Sequence, residues 1–182
     1  MKPRLIIISG FSCTGKSTLA KKIAQHYSLP VFGRDDFKEA LFDSLGYCDR
    51  QLSKEFGIAS YKLLYLTTEK ILAAGNSLVI ESNFQVNPDT EKLKNIKDKY
   101  QCSLIQIHCQ VPMSLALARF KARSESGERH PGHVDHLILE EMKANLQRGG
   151  YKIEDICDRT IDLDTTEFNN IDYQIIYSLL NN

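Results

Sequence analysis

The first residues with evident chemistry follow a short apolar run near the start of the chain. Residues 5–9 (LIIIS) are typical of a buried parallel strand, and the next eight residues read GFSCTGKS. This is a complete G-x-x-x-x-G-K-[ST] pattern, in which glycines let the backbone wrap its N–H groups around phosphate and the following helix presents its positive end to the anion. The residues predicted to bind a nucleotide here are Ser12, Cys13, Thr14, Gly15, Lys16, Ser17 and Thr18.

Two side chains of this loop have predicted roles of their own. Lys16 can bridge the β- and γ-phosphates of ATP, and the Ser17 hydroxyl can ligate Mg²⁺. Cys13 is expected to contribute only its backbone N–H, because a functional thiol needs a lowered pKa. The sequence therefore predicts ATP and Mg²⁺ as ligands.

The second predicted strand, residues 30–33, ends in a run of charged residues. Arg34, Asp35, Asp36 and Lys38 follow it and should face the acceptor side of the same crevice. A hydroxyl that attacks phosphorus needs a carboxylate within hydrogen-bond reach, to orient it and accept its proton. An Asp at this point can instead cap the following helix. We expect one of the two aspartates to be catalytic.

The third predicted strand, residues 78–81, ends in an acid and an amide. Glu81 could hold a Mg²⁺-bound water, the role of the usual Walker-B carboxylate, or be a strand-end charge that reaches solvent. Asn83 would face the acceptor substrate. We predict a metal site formed by Ser17 and Glu81.

Arginines follow the fourth predicted strand. Arg119 and Arg123 are one turn apart on a predicted helix from Pro112, and Arg129 lies in the Gly- and Pro-rich loop 124–133. Phosphoryl transfer needs cations where charge gathers and a cover that excludes water. These arginines could do both, and without a phosphate site they would form an exposed basic helix face.

Three histidines in the same region raise the question of a metal. His130, His133 and His136 have no cysteine among them and are separated by Pro and Gly. This pattern favours a loop over a zinc site. We expect one of them, His133, to contact phosphate or substrate; the alternative is that a histidine here simply caps the next helix.

The elements that position these residues alternate between strands and helices. The alternation predicts an α/β three-layer sandwich with a mostly parallel five-stranded sheet, whose ligands lie at the carboxyl ends of the strands. A single domain over residues 1–182 is expected. Strands are predicted at residues 5–9, 30–33, 78–81, 104–109 and 160–163, and helices from 17, at 36–45, 54–74, 87–100, 112–123, around 139–146, and at 168–179.

Composition limits the other possibilities. The chain has 182 residues, with 23 Lys+Arg against 23 Asp+Glu, so long-range attraction to nucleic acid or anionic lipid is not expected. Only four apolar residues follow the basic N-terminus, too few for a secretory signal, and the five cysteines form no C-x-x-C pair. We expect a cytoplasmic protein with no membrane partner. The sequence carries no signal for oligomeric state.

Together these segments resemble the P-loop kinase group that includes the 5′-hydroxyl kinase domain of polynucleotide kinase, chloramphenicol phosphotransferase and zeta-toxin-type sugar-nucleotide kinases. The likeness is sharpest at residues 10–18, GFSCTGKST, and 33–41, GRDDFKEAL. It implies a P-loop fold similar to nucleoside-monophosphate kinases, with a short lid at about 119–136. It also implies that Asp35 activates the attacking hydroxyl, that Arg119 or Arg123 is the lid arginine, and that Thr165 lies near the adenine.

The sequence departs from polynucleotide kinase at two of these positions. Glu81 stands where polynucleotide kinase has Asp, and Lys38 stands where it has Arg. We expect an ATP-dependent phosphotransferase that acts on a hydroxyl of a small molecule, with Arg34, Asp36, Lys38, Asn83, Arg129 and His133 on the substrate side. The alternatives are a polynucleotide 5′-hydroxyl kinase and a P-loop NTPase switch with no phosphate acceptor.

Overall fold

Five parallel strands form one sheet at the centre of the protein, whose computed structural model describes residues 2–47, 49–135, 138–153 and 155–181. The order across the sheet is β2-β3-β1-β4-β5, and every pair of neighbours is parallel. This confirms the predicted parallel five-stranded sheet. The strands are β1 (Arg4–Gly10), β2 (Val31–Gly33), β3 (Leu78–Glu81), β4 (Ser103–Gln110) and β5 (Arg159–Asp164).

Seven α-helices in the described residues connect the strands and cover both faces of the sheet, as the three-layer prediction required. A short 3₁₀ turn at Pro131–His133 and another at Phe168–Asn170 complete the regular structure. The helices are α1 (Lys16–Tyr27), α2 (Arg34–Leu45), α3 (Arg50–Ala73), α4 (Pro88–Tyr100), α5 (Met113–Ser126), α6 (Leu139–Arg148) and α7 (Tyr173–Asn181).

The central strand β1 has apolar side chains on both faces because the sheet is buried on both sides. Leu5 and Ile7 pack with α3 and α4, while Ile6 and Ile8 pack with α1 and α7. All four are fully buried, and each contributes about 1.5–3 kcal/mol by leaving water. The sheet is therefore a rigid platform for the residues at its carboxyl edge.

The strand register brings three neighbouring strand ends to one edge. Glu81 of β3 pairs with Ile8 of β1 on one side and with Gly33 of β2 on the other, and Gly10 pairs with Cys109 of β4. The loop after β1, the start of α2 and the acid that ends β3 therefore meet at one place.

Several helix ends differ from the sequence-based predictions. The helix α3 begins at Arg50, before the predicted residue 54, because the Asp49 side chain accepts a hydrogen bond from the Leu52 N–H and caps it. The last helix begins at Tyr173, because the predicted start at Phe168 belongs to a separate 3₁₀ turn.

The segment predicted as a loop at residues 124–133 is partly helical. The helix α5 continues to Ser126 and ends at Gly127, where φ is +70°. No helix in the described part of the chain has the length and apolar character needed to span a membrane.

Candidate active site

The loop between β1 and α1 requires glycine at two positions. The backbone φ is +133° at Gly10 and +80° at Gly15, which other residues resist. A Cβ on Gly10 would lie 2.4 Å from the Cys109 carbonyl oxygen, and one on Gly15 would lie 2.6 Å from the Phe168 ring. Because α1 starts at Lys16, the positive end of that helix meets the loop, as a phosphate site needs.

Lys16 is buried within this loop. Its Nζ donates a hydrogen bond to the Phe11 carbonyl oxygen at 2.7 Å, and the Thr14 hydroxyl donates to the same oxygen at 2.9 Å. Burial lowers the pKa of Lys16, and the nearby Glu81 carboxylate opposes that shift. Burial also raises the pKa of the Cys13 thiol, which favours its predicted role through the backbone alone.

Ser17 and Glu81 lie side by side next to the loop. The Ser17 hydroxyl donates to Glu81 Oε1 at 2.9 Å, and the Glu81 side chain is largely buried. Burial raises the pKa of Glu81, while the Lys16 ammonium pulls it down. A hydroxyl and a carboxylate are hard oxygen donors, and Mg²⁺ binds through one or two such groups together with water and phosphate oxygens. This donor set fits Mg²⁺.

The two aspartates at the start of α2 have different partners. Asp36 Oδ2 accepts a hydrogen bond from the Gly33 N–H at 2.6 Å, so it caps the helix. Asp35 lies between two arginines, accepting from Arg34 Nη2 at 2.8 Å and from Arg129 Nη2 at 2.7 Å. These two guanidinium groups hold the pKa of Asp35 far below its usual range, against the effect of burial.

Asp36 was predicted on the substrate side, and the structure places it elsewhere. It lines neither of the two cavities described below, because its carboxylate is held at the helix terminus. The two aspartates therefore differ in position: Asp36 caps α2, and Asp35 lines the smaller cavity, where it is paired with Arg34 and Arg129.

The α5 arginines reach the loop from the side of β4. Arg119 donates to the carbonyl oxygens of Thr166 at 2.8 Å, Thr165 at 3.3 Å and Cys13 at 3.5 Å. It therefore links the loop after β5 to the loop after β1. Arg123 donates from Nη2 to Asp135 Oδ2 at 3.1 Å.

Two guanidinium N–H groups beside the loop are left without a hydrogen-bond acceptor in the described part of the chain. These are the buried Nε atoms of Arg123 and Arg129, although the latter lies 3.3 Å from Asp135 Oδ2. Buried donors that are not satisfied by protein are typical of a site that binds an anion. Asp135 was not singled out from the sequence, since nothing in its neighbourhood marks it.

Two adjoining cavities open at the carboxyl edge of the sheet. The smaller, about 410 Å³, is lined by the loop after β1 together with Asp35 and Glu81. The larger, about 1010 Å³, runs along α3 toward α4. Residues that line both cavities mark the junction between them: Ser12, Arg34, Asn83, Arg123 and Arg129.

The larger cavity contains Lys38, Asn83 and His133 from the predicted substrate set. The Lys38 ammonium is buried and donates to the Ser53 hydroxyl at 2.9 Å. Burial lowers the pKa of Lys38 to about 8, and the Arg34 cation adds to this shift. Asn83 Nδ2 donates to the Ser12 hydroxyl at 3.2 Å.

Tyr61 of α3 is a wall residue of the larger cavity that sequence reasoning missed. Its hydroxyl donates to the Asn83 carbonyl oxygen at 3.1 Å, and the Arg34 guanidinium lies 5.3 Å from its ring centre. Within the predicted helix 54–74 nothing marks Tyr61 as a site residue, and only the fold brings it to the strand ends.

Thr165 directly follows β5 and contacts the loop after β1. Its side chain is fully buried, and its hydroxyl donates to the carbonyl oxygens of Thr14 at 2.8 Å and Gln110 at 3.0 Å. The structure thus uses Thr165 to support the loop after β1, and its contact with adenine stays a prediction. Phe168, three residues later, lines the smaller cavity and was not predicted to do so.

The predicted absence of a zinc site concerns three histidines, of which His136 lies outside the described residues. His130 and His133 contact carboxylates of α2 instead of each other. Within the ranges that the structure describes, no group of three His, Cys, Asp or Glu side chains has a metal-binding arrangement.

The fold and the loop after β1 define a P-loop protein with a kinase-like fold. Residues 5–148 match a family described as an AAA domain, and because this is most of the chain, the chain belongs to that family. No match was found among curated proteins.

Solved structures of other proteins share the fold, among them the following three. A protein of Chloroflexus aurantiacus J-10-fl, itself only provisionally called a kinase, is 35% identical with a TM-score of 0.88, covering 100% of this chain and 98% of its own. A sugar kinase of Janibacter sp. HTCC2649 is 18% identical, TM-score 0.60, covering 98% and 93%. The APS kinase of Mycobacterium tuberculosis, solved with AMPPNP and APS, is 14% identical, TM-score 0.57, covering 100% and 99%.

Proposed function

We propose that the protein is an ATP- and Mg²⁺-dependent phosphotransferase that moves the γ-phosphate of ATP to a hydroxyl of a small molecule. The observation that carries this proposal is that Asp35 lines the smaller cavity and is bound there by Arg34 and Arg129, two residues that line both cavities. A P-loop that only hydrolyses or senses nucleotide has no need of a second cavity that adjoins such a carboxylate. A nucleotide switch is disfavoured for that reason.

In the proposed reaction, Lys16 and the loop amides hold the β- and γ-phosphates of ATP. Ser17 and Glu81 would hold Mg²⁺, which supplies charge neutralisation on the phosphate oxygens. Asp35 orients the acceptor hydroxyl and receives its proton. Because its pKa is held low, Asp35 is ionised at neutral pH, and the proton moves to it as the bond to phosphorus forms.

The arginines serve the transferring group in this proposal. Arg119, Arg123 and Arg129 line the smaller cavity, and the unused N–H donors of the last two are available to phosphate oxygens. The segment from Arg119 to about residue 136 would act as the lid, with Arg129 held beside Asp35 at the wall of the smaller cavity, where the transferring phosphoryl group would bind.

The larger cavity supports a small-molecule acceptor with a negative group. Its volume of about 1010 Å³ is at the upper end for small-molecule sites. Lys38 has a serine hydroxyl as its hydrogen-bond partner and forms no ion pair within the described residues. A buried ammonium in such surroundings is best matched by an anionic ligand. Arg34 and Asn83 would hold the rest of the acceptor near Asp35.

Transfer of labelled phosphate tests the proposal. [γ-³²P]ATP and Mg²⁺ are incubated with alcohols that differ in charge, including sugar acids, sugar phosphates, nucleosides and short oligonucleotides with a 5′-hydroxyl. We expect transfer to a small anionic alcohol, strongly reduced in Asp35→Asn. Preferred transfer to oligonucleotides, with binding that weakens steeply with salt, would instead support the polynucleotide kinase alternative.

A further inference from the structure

The segment after α5 lies against α2 through three acid–base contacts. Asp35, Glu39 and Asp43 are four residues apart on α2 and so lie on one face of that helix. Their partners are Arg129 at 2.7 Å, His133 at 2.8 Å and His130 at 3.1 Å, respectively. Only the first of these carboxylates has a role in the proposed reaction.

The close approach of this segment to α2 depends on Gly132. A Cβ there would lie 2.6 to 2.8 Å from three ring carbons of Phe42, a buried residue of α2. The His130 ring stacks on the same phenyl ring at 5.1 Å between centres, and the His133 ring meets it edge-on at 5.5 Å. The segment is therefore seated by packing, and the polar contacts determine its orientation.

The contact with Arg129 identifies the tautomer of His133. Arg129 Nη2 lies 3.0 Å from His133 Nδ1, and a guanidinium N–H can only donate. Nδ1 must therefore accept, so the ring proton of neutral His133 is on Nε2. That N–H points at Glu39 Oε1, 2.8 Å away, which can accept it.

The same Arg129 nitrogen also donates to Asp35. Its two protons thus serve His133 Nδ1 and Asp35 Oδ2, so a chain of contacts runs Glu39–His133–Arg129–Asp35. His130 has the matching arrangement, since its Nδ1 accepts from the Gly132 N–H and its Nε2 faces a carboxylate.

We propose that Glu39 is a positioning residue, which holds His133 as the Nε2–H tautomer so that Nδ1 fixes the Arg129 guanidinium beside Asp35. Its catalytic consequence rests on the proposed function, in which Arg129 serves the transferring phosphoryl group. The contact chain itself is a property of the ligand-free protein. The two can therefore be tested separately.

Protonation of His133 should break this chain. A second ring proton on Nδ1 would point at the Arg129 guanidinium, which offers no acceptor. Burial lowers the pKa of His133; Glu39 and Asp35 act to raise it, while Arg129 and Lys38 act to lower it. Because the folded-state pKa lies below the ordinary value, His133 is mainly neutral at pH 7, and the arrangement is lost as pH falls through that pKa.

Two substitutions of Glu39 separate its hydrogen bond from its charge. Glu39→Gln keeps an oxygen that accepts from Nε2–H, whereas Glu39→Leu removes it. Glu55→Leu is the matched control, since it deletes an exposed carboxylate of α3 that accepts a hydrogen bond from Gln51 on the same helix. Thermal unfolding and circular dichroism establish that each variant folds.

The first measurement is ¹⁵N NMR of the His133 ring nitrogens in the nucleotide-free protein. We expect a protonated Nε2 and an unprotonated Nδ1 in wild type, Glu39→Gln and Glu55→Leu, and a mixture of tautomers in Glu39→Leu. An Nδ1–H tautomer in wild type, or unaltered ring signals in Glu39→Leu, would overturn the proposal.

The second measurement is kcat for phosphate transfer as a function of pH. Misplacing Arg129 should lower kcat roughly 10- to 100-fold in Glu39→Leu, with the Kd for Mg·ATP unchanged. Glu39→Gln should retain kcat near pH 8 but shift the acidic limb to lower pH, because a neutral partner no longer raises the pKa of His133.

An acidic limb that stays in place in Glu39→Gln would contradict the positioning role. Wild-type protein that shows the expected ring signals but transfers no phosphate would overturn the proposed function while leaving the contact chain intact.

Discussion

Asp35 and Asp36 are adjacent in the sequence, and their partners give them opposite roles. The carboxylate of Asp36 holds the first turn of α2, while that of Asp35 is shared by two arginines at the junction of the cavities. A helix cap contributes about 1 kcal/mol to the free energy of unfolding, whereas a catalytic carboxylate contributes to the rate of the reaction.

The same substitution at these two positions should therefore have different effects. We expect Asp35→Asn to lower the transfer rate by about 10²- to 10⁴-fold, and Asp36→Asn to leave the rate near wild type while lowering the free energy of unfolding by less than about 1 kcal/mol. Transfer kinetics and urea unfolding measure the two effects. A larger loss of rate in Asp36→Asn than in Asp35→Asn would show that Asp36, and not Asp35, is the catalytic carboxylate.

Lys38 is a buried cation whose charge costs stability. Its pKa is lowered to about 8 in the folded protein, while an unfolded lysine titrates near 10.5. Lys38→Met should therefore raise the free energy of unfolding at pH 7 by roughly 1–3 kcal/mol, and weaken the binding of an anionic acceptor.

The pH dependence supplies the control for this change. Below pH 8 both states of wild type carry the charge, so the full difference between wild type and Lys38→Met is present. Between pH 8 and about 10.5 the folded state loses the proton first, so wild-type stability gains on the variant as pH rises. Chemical unfolding at pH 7, 8 and 9 measures this effect. If the difference in free energy of unfolding between wild type and Lys38→Met stayed constant over this range, the pKa of Lys38 would not be lowered in the folded protein.

The helix α2 carries both the proposed acceptor carboxylate and the surface on which the lid segment rests. Gly132→Ala should displace that segment, because the added methyl group would overlap the Phe42 ring. We expect a loss of about 1–3 kcal/mol in unfolding free energy and weaker protection of residues 129–135 in hydrogen exchange.

Gly57→Ala is the comparison for an added methyl group. Gly57 is inside α3, and a Cβ there meets no atom within 4 Å. This variant should gain about 0.5–1 kcal/mol, because alanine is the better helix former. Equal effects of the two substitutions would mean that the contact between Gly132 and Phe42 does not seat the lid.

The elements that the sequence predicted well are those with a strong local signal. Strands at 5–9, 78–81 and 104–109 are apolar runs ended by polar residues, and the G-x-x-x-x-G-K-[ST] pattern needs only its own strand and helix around it. The end of α5 was misplaced because it depends on the backbone conformation of Gly127, where φ is positive. The start of α7 was misplaced because Phe168 belongs to a separate turn, whose ring lies against Gly15.

The partners within the candidate site depended on contacts between distant segments. The sequence could place Asp35 and Asp36 at a strand end, but it could not show which of them caps the helix and which lines the cavity. That difference depends partly on Arg129, which lies 94 residues away from Asp35 and binds its carboxylate. Asp135 and Glu39 gave no signal of their own, because their significance comes only from the arginine and histidine that they contact.

The molecule as a whole has no net charge, yet its charges are unevenly distributed. The described residues that line the larger cavity include eight Lys and Arg against four Asp and Glu. The 23 cations and 23 anions of the chain therefore balance only because acids dominate elsewhere. Clustered cations around an open cleft destabilise the ligand-free protein and attract anionic ligands to it.

A nucleotide that binds the smaller cavity, at the loop after β1, should stabilise the entire fold because it binds only the folded state. At 100 times its Kd, Mg·AMPPNP is expected to add about 2.7 kcal/mol to the free energy of unfolding, and to raise Tm by roughly 5–10 °C for a chain of this size. Lys16→Met, which removes the buried loop cation, should lose this shift, whereas Lys94→Met, on the exposed face of α4, should keep it. Differential scanning fluorimetry over a range of nucleotide concentrations measures both. An equal Tm shift in wild type and Lys16→Met would show that the nucleotide does not bind at the loop after β1. That outcome would also contradict the proposed phosphate transfer.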